Sequence, residues 1–180
     1  MLAIDSPGGT LVSIGVPFPT IRYKSRRFPD VLNSDSSAGN HGVKRTEPYQ
    51  LLIADDDAGF REVLRAIFEP LFLLFEAGSG EEAVEIVEGE HVDLILIDMN
   101  MHKLTGLDTV RIVKQIDSRL PCILCTSDAT DELREQAREV DVWSVLAKPV
   151  RKRELLTNVA SAIDSTYGDS DVSSPFGSMN

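Results

Sequence analysis

Apolar residues follow two alternating patterns along the middle of the chain. One pattern is a short, nearly unbroken apolar run, which is typical of a strand buried on both faces of a sheet. The other spaces apolar residues at i, i+3, i+4 and i+7, which places them on one face of a helix. The runs predict five strands, at residues 51–54, 71–75, 93–98, 122–125 and 142–147, and a helix follows each of them.

Residues that begin and end helices support this division. Asp57 is placed to cap the first helix and Pro70 to end it. Ser79 opens a capping box before the second helix, and Thr130 or Asp131 can cap the fourth. The inward helix faces are predicted to hold Phe60, Val63, Leu64, Ile67 and Phe68; Ala83, Val84 and Val87; Leu107, Val110, Val113 and Ile116; Leu133, Ala137 and Val140; and Leu155, Leu156, Val159, Ala160 and Ile163.

The alternation of strands and helices predicts an α/β fold. Parallel strands joined by right-handed helical crossovers give a five-stranded parallel sheet with helices on both faces. With strand order 2-1-3-4-5, strands 1 and 3 are neighbours, and ligands bind beyond their carboxyl ends. We therefore expect the functional site at that edge of the sheet.

Composition divides the chain into three parts. Residues 1–48 contain five of the nine prolines and a polar run, and we expect a disordered leader there. Residues 49–164 form the predicted domain, and residues 165–180 a small, polar, disordered tail. No stretch approaches the roughly 18 apolar residues that span a bilayer. We expect a cytoplasmic protein with no membrane partner.

The net charge of −11 is unevenly distributed. Residues 1–48 carry six basic and four acidic side chains, a net +2, whereas residues 49–164 carry 12 and 23, a net −11. An acidic domain argues against a nucleic-acid partner, because phosphates are bound by basic surfaces. It suits a cation or a basic protein instead.

Two cysteines, Cys122 and Cys125, have the spacing of some redox and zinc sites. They lie within a predicted buried strand, where a spacing of three puts side chains on opposite faces. No second Cys/His pair completes a zinc site. We interpret both as core thiols.

Carboxylates collect at the predicted functional edge. Asp55 and Asp56 follow strand 1, and Asp98 ends strand 3. Like charges about 4 Å apart repel by several kcal/mol at an effective dielectric near 20, so the cluster favours a bound cation. An all-oxygen, highly charged ligand set is typical of Mg²⁺.

A hydroxyl and an ammonium complete the predicted site. Thr126 leaves strand 4 and Lys148 leaves strand 5. A metal, a hydroxyl and a lysine around one carboxylate suit phosphoryl transfer, because each stabilises phosphoryl oxygens. Asp98 is then the nucleophile that forms an acyl phosphate.

Residues 54–57, 94–101, 125–127 and 147–150 resemble the receiver domain of two-component response regulators, specifically chemotaxis-type single-domain receivers. The resemblance extends over about residues 50–163 and implies the flavodoxin-like receiver fold. It implies that Asp98 accepts phosphate from a histidine kinase or a phosphotransfer protein. It also implies that Thr126 is a switch hydroxyl, that Lys148 contacts the phosphate, and that the Lys148–Pro149 bond is cis. The implied Mg²⁺ ligands are Asp55, Asp56, Asp98 and the backbone carbonyl of Asn100.

Three positions depart from the family pattern. His102 stands where proline is usual, and Thr105 where Asp often precedes Gly106. His102 is interpreted as a loop residue, with a contact near the phosphate as the alternative. Val145 stands where an aromatic residue usually couples the switch hydroxyl to the outer face; Trp143 has the same strand parity.

The leading functional hypothesis is a single-domain response regulator rather than an enzyme. Its output would be protein binding or onward phosphotransfer, with an unidentified partner on the face of helix 4, strand 5 and helix 5. One alternative is a receiver-like adapter that binds partners independently of phosphorylation. Another is a phosphatase of the haloacid dehalogenase type, which would pair Asp55 with Asp57.

Overall fold

The structure, a computed structural model, describes residues 48–168. Five strands and five helices alternate through this part of the chain. They are β1 Gln50–Ala54, α1 Ala58–Phe68, β2 Leu73–Ala77, α2 Gly80–Gly89, β3 Leu94–Asp98, α3 Gly106–Ile116, β4 Cys122–Thr126, α4 Asp131–Glu139, β5 Ser144–Ala147 and α5 Lys152–Tyr167.

The strands form one parallel sheet in the order β2-β1-β3-β4-β5, which confirms the predicted fold class. Ala54 pairs with Ile97, and Asp98 pairs with Cys125. The carboxyl ends of β1, β3 and β4 are therefore level with one another. Side chains that leave these three ends lie around one pocket.

Helices cover both faces of the sheet. Helices α1 and α5 bury Leu64, Phe68 and Val159 against the face that carries Leu51 and Ile53 of β1. Helices α2, α3 and α4 cover the opposite face, where alternate strand residues point. Because β1, β3 and β4 are covered on both sides, their sequences are almost entirely apolar.

The structure confirms that the two cysteines are core thiols on opposite faces of β4. Cys122 packs with the helices α2, α3 and α4, and Cys125 packs with α1 and α5. Both are buried and unpaired. Burial raises the pKa of each thiol to about 12, so neither is a thiolate at neutral pH.

Strand β2 begins two residues later than the apolar run predicts. The backbone N–H groups of Leu71 and Phe72 donate to the carbonyl of Phe68 at 2.8 and 2.9 Å, so the chain is still turning there. The strand starts where Leu73 donates to Tyr49 at 2.9 Å. Phe72 is buried by the turn rather than by strand pairing.

The predicted inward position of Val63 is wrong, because its side chain is 54% exposed. The buried stripe of α1 centres on Leu64 and Phe68. At about 100° per residue, Val63 lies at the edge of that stripe. On α5 the same effect leaves Ala160 half-buried while Ala162 is fully buried.

Helix α5 continues to Tyr167, beyond the predicted domain boundary at residue 164. The Tyr167 hydroxyl donates to the Asp93 carbonyl at 2.8 Å, and its ring packs on Tyr49. These contacts hold the last turn against the sheet. Nearly all of the predicted leader, and the predicted tail from residue 169, lie outside the described residues. Within 48–168, no helix has the length and apolar character needed to cross a bilayer.

Candidate functional site

Three carboxylates meet at the carboxyl end of the sheet. Asp55 and Asp56 follow β1 directly, and Asp98 is the last residue of β3. Asp55 and Asp98 are buried, whereas Asp56 lies at the exposed rim. One oxygen from each lies within 4.8 Å of one from each of the others. The structure thus brings together the three acidic residues predicted to form one site.

Lys148 bridges the two buried carboxylates. Its Nζ lies 2.7 Å from Asp55 Oδ2 and 2.7 Å from Asp98 Oδ1. The lysine reaches this position because it directly follows β5. Its backbone N–H donates to the Thr126 carbonyl of β4 at 2.7 Å. The Lys148–Pro149 peptide bond is cis, as the resemblance implies.

Backbone N–H groups orient the same two carboxylates. Asp57 donates its N–H to Asp55 Oδ1 at 2.9 Å, and Asn100 donates to Asp98 Oδ2 at 2.7 Å. The Asp57 side chain caps α1 by accepting from Gly59 and Phe60. Asp57 therefore serves as the predicted cap, and the carboxylate cluster that could hold a metal contains Asp56 rather than Asp57.

The pocket has an excess of negative charge. Burial raises the pKa of Asp55, although the Lys148 hydrogen bond opposes this rise. Burial alone would lower the pKa of Lys148, but hydrogen bonds and charge from Asp55 and Asp98 raise it. One ammonium thus faces two buried carboxylates and a third at the rim. A further cation would complete the charge balance.

Gly106 allows α3 to begin directly behind Asp98. A Cβ at this position would collide with the Asp98 carbonyl oxygen and with Met99 Cα. The Gly106 N–H donates to the Met99 carbonyl at 3.0 Å. Thr105, one of the three departures, caps α3 by accepting from the Asp108 N–H at 3.2 Å. The loop after β3 is therefore held close to the backbone of Asp98 and Met99.

Thr126 is buried at the end of β4, and its hydroxyl faces the following loop. It accepts from the Asp128 N–H at 3.1 Å and lies 3.3 Å from the Asp128 carbonyl. Asn100 approaches the same loop, because its Nδ2 donates to Ser127 Oγ at 3.3 Å. The Asn100 carbonyl as a metal ligand stays a prediction.

The partners in two site contacts were not predicted from the sequence, although a contact of His102 near the phosphate was the stated alternative to a loop residue. The Phe60 ring, predicted only as core, lies under Lys148 with 4.2 Å between Nζ and the ring centroid. His102 Nδ1 lies 2.7 Å from Asp56 Oδ2. Both contacts join separate elements, so no local pattern indicates them. For the His102 contact, the sequence carries one signal, which is a histidine at a position where proline is usual.

The donor set fits Mg²⁺. Three carboxylates with closely spaced oxygens offer hard ligands, and the rim position of Asp56 leaves room for the waters that Mg²⁺ retains. A bound Mg²⁺ would neutralise charge on phosphoryl oxygens. A parallel sheet in this order is a doubly wound α/β fold, which binds its ligands beyond the carboxyl ends of neighbouring strands such as β1 and β3.

Comparison with known proteins identifies the family. The sequence model of the response regulator receiver domain matches residues 51–160. Sporulation initiation phosphotransferase F of Bacillus subtilis is 30% identical over 101 residues, which cover 56% of this chain and 82% of that protein. The chemotaxis protein CheY of Halobacterium salinarum is 29% identical, over 63% of this chain and 96% of CheY. The chain belongs to the response regulator receiver domain family, whose members are signalling modules.

Longer relatives and solved structures agree with this assignment. The match to the cyclic di-GMP phosphodiesterase response regulator RpfG of Xanthomonas campestris has 30% identity and spans 35% of that protein. A CheY-like receiver domain from Methanospirillum hungatei superposes with a TM-score of 0.66 at 21% identity, covering 68% of this chain and 99% of that one. At this identity the structural match shows the receiver fold.

Proposed function

We propose that this protein is a phosphoryl-accepting response regulator whose acceptor is Asp98. The observation that carries the proposal is the position of Lys148, with Nζ 2.7 Å from Asp98 Oδ1 and 2.7 Å from Asp55 Oδ2. An ammonium at this distance can bind the oxygens of a phosphoryl group attached to Asp98. In the proposed site, Mg²⁺ is held by Asp55, Asp56, Asp98 and the Asn100 carbonyl.

The proposed donor is a phosphohistidine on a kinase or phosphotransfer protein. A carboxylate oxygen of Asp98 attacks phosphorus, the P–N bond breaks, and the ring nitrogen of the donor retains the bonding electrons. Lys148 stabilises the phosphoryl oxygens. Thr126 can serve as the switch hydroxyl, because exchanging its Asp128 backbone contact for a phosphoryl oxygen would draw the loop between β4 and α4 inward.

The proposed output is a protein contact or onward phosphotransfer in the cytoplasm. The output surface is assigned to α4, β5 and α5, since α4 follows the Thr126 loop and α5 follows Lys148. The acidic balance of residues 49–164 favours protein partners over nucleic acid. The relatives include a phosphotransferase and a chemotaxis protein, which act in such signalling chains.

A labelling experiment tests this proposal. The full-length chain is incubated with a radiolabelled small acyl phosphate, with Mg²⁺ or with a chelator. We expect Mg²⁺-dependent incorporation in the wild type and none in Asp98→Asn. Asp117→Asn, at the end of α3 and far from the pocket, is the matched control and should be labelled normally. Labelling of Asp98→Asn at the wild-type level would contradict the proposal.

One observation favours a second function, that of an adapter which binds partners without phosphorylation. Val145 is half-buried against the core cluster beneath α2, α3 and α4. The Val145 carbonyl accepts a hydrogen bond from Arg134 Nη1 of α4 at 3.2 Å. Position 145 thus holds a small, packed valine instead of the usual mobile aromatic, and its backbone is tied to α4. Correctly folded wild-type protein that stays unlabelled in the experiment above would support the adapter.

A further inference from the structure

His102 makes a contact that the usual proline at its position could not make. Its Nδ1 lies 2.7 Å from Asp56 Oδ2, across the gap between the loops that follow β1 and β3. The histidine side chain is 92% exposed, so the contact lies at the mouth of the pocket. A ring N–H at Nδ1 donates to the carboxylate in the imidazolium and in one of the two neutral tautomers.

The three carboxylates differ in how firmly they are held. Asp55 is fixed by Lys148 and the Asp57 N–H, and Asp98 by Lys148 and the Asn100 N–H. Within residues 48–168, the hydrogen bond from His102 is the only one that reaches the Asp56 side chain. Without it, Asp56 would have to lose its rotational freedom when it binds an ion, which weakens binding.

We infer that His102 is a positioning residue for the Mg²⁺ site: its ring N–H holds the Asp56 carboxylate in the orientation that binds the ion. The hydrogen bond uses Oδ2, and within residues 48–168 Oδ1 accepts no hydrogen bond. This is the role of an outer-shell partner, which orients a ligand without touching the metal. The inference rests on the proposed Mg²⁺ site and adds to it a residue specific to this chain.

Loss of the His102 side chain should change the affinity for Mg²⁺ but not the stability of the metal-free protein. An exposed histidine–carboxylate contact contributes little to folding, so its loss should leave the melting temperature of the metal-free protein unchanged. Loss of an outer-shell partner weakens metal binding by about 10–100-fold, and an exposed partner belongs at the lower end. We therefore expect His102→Ala to bind Mg²⁺ about tenfold more weakly. His102→Asn should retain the affinity, because its side-chain NH₂ replaces the Nδ1 donor.

Calorimetric titration of the full-length chain with Mg²⁺ tests the inference. The variants are His102→Ala, His102→Asn and, as a matched control, His91→Ala, which removes a histidine–carboxylate contact to Asp93 at the opposite end of β3. We expect weaker binding only in His102→Ala. Asp56→Asn should bind more weakly still.

Each other outcome has a definite meaning. Equal or tighter binding by His102→Ala overturns the inference, because His102 then contributes nothing or repels the ion. Equal losses in His102→Ala and His102→Asn also overturn it, since they would make the ring nitrogen itself a ligand. Failure of the wild type to bind Mg²⁺ would refute the metal site of the proposed function, which is a separate result.

Discussion

At the scale of single residues, Lys148 controls the charge of the pocket. Its Nζ lies 2.7 Å from an oxygen of each buried carboxylate, and the same contacts raise its pKa. In the proposed function the lysine also contacts a phosphoryl group on Asp98. The Phe60 ring, 4.2 Å from Nζ, attracts the ammonium without competing as a negative ligand. We therefore expect Phe60 to help hold the ammonium at the pocket if Lys148 exchanges a carboxylate contact for a phosphoryl oxygen.

Replacing Phe60 by Leu should slow phosphorylation of Asp98. Leucine fills the space but lacks the π face, and a cation–π contact at a partly buried site contributes about 1 kcal/mol. We expect about a fivefold lower initial rate of Mg²⁺-dependent labelling, and a near-normal rate for Phe60→Tyr. Val63→Ala, on the exposed side of α1, is the control. A normal rate in Phe60→Leu, or an equally slow Phe60→Tyr, would show that the ring face has no such role.

At the scale of elements, β4 shows how alternation assigns residues to layers. Its three middle residues and both ends are buried, and Cys122 and Cys125 contact opposite helix layers. Each thiol has a pKa near 12 in the fold against an ordinary value of 9.0. A raised pKa means that folding favours the protonated thiol. This contribution to stability is complete below pH 9 and is lost as the pH rises toward 12.

Alkaline unfolding measures this effect. Urea midpoints of the wild type should fall as the pH rises above about 9, in part because the exposed thiols of the unfolded chain ionise. Other groups also titrate in this range, so the Cys122→Val, Cys125→Val double variant is the comparison. We expect the double variant to lose less stability over the same range. Parallel losses in both proteins would rule out a contribution from thiol burial.

Most elements could be predicted because their signals are local. Asp57, Ser79 and Thr130 accept hydrogen bonds from the first turns of α1, α2 and α4, as their positions in the sequence predict. Strand β2 was misplaced because apolar character alone does not separate a buried turn at Phe72 from a strand. Length and periodicity do not report which backbone groups pair.

The functional site also has a part that the sequence predicts and a part that it does not. Asp55, Asp56, Asp98 and Lys148 could be predicted together, because parallel strands in a known order place their carboxyl ends side by side. The contacts of Phe60 and His102 depend on how α1 and the loop after β3 approach the pocket. Such approaches are set by packing, and no spacing in the sequence encodes them.

At the scale of the whole molecule, the negative charge links the site to stability. Residues 49–164 carry a net charge of −11. Three of the carboxylates in this range, those of Asp55, Asp56 and Asp98, share one pocket. If the proposed Mg²⁺ site is formed, a cation that binds only the folded state relieves the repulsion between these carboxylates and stabilises the fold. We therefore expect stability to depend on Mg²⁺ concentration through the same residues.

Mg²⁺ should raise the melting temperature of the full chain. A concentration ten times the Kd stabilises the fold by about 1.4 kcal/mol, which corresponds to roughly 5 °C for a domain of this size. Sodium chloride at matched ionic strength controls for screening, and Asp56→Asn controls for the site. Equal shifts with Mg²⁺ and with sodium chloride would remove the support for a specific metal site.

Locating the phosphoryl group on the chain tests directly whether Asp98 is the acceptor. The wild type is phosphorylated with a small acyl phosphate in the presence of Mg²⁺, reduced with borohydride, digested and sequenced by mass spectrometry. Hydride reduction converts an aspartyl phosphate to homoserine and leaves free carboxylates intact. We predict homoserine at position 98 and at no other acidic residue. Unmodified Asp98, or homoserine at Asp55 or Asp56 instead, would contradict the assignment of Asp98 as the acceptor.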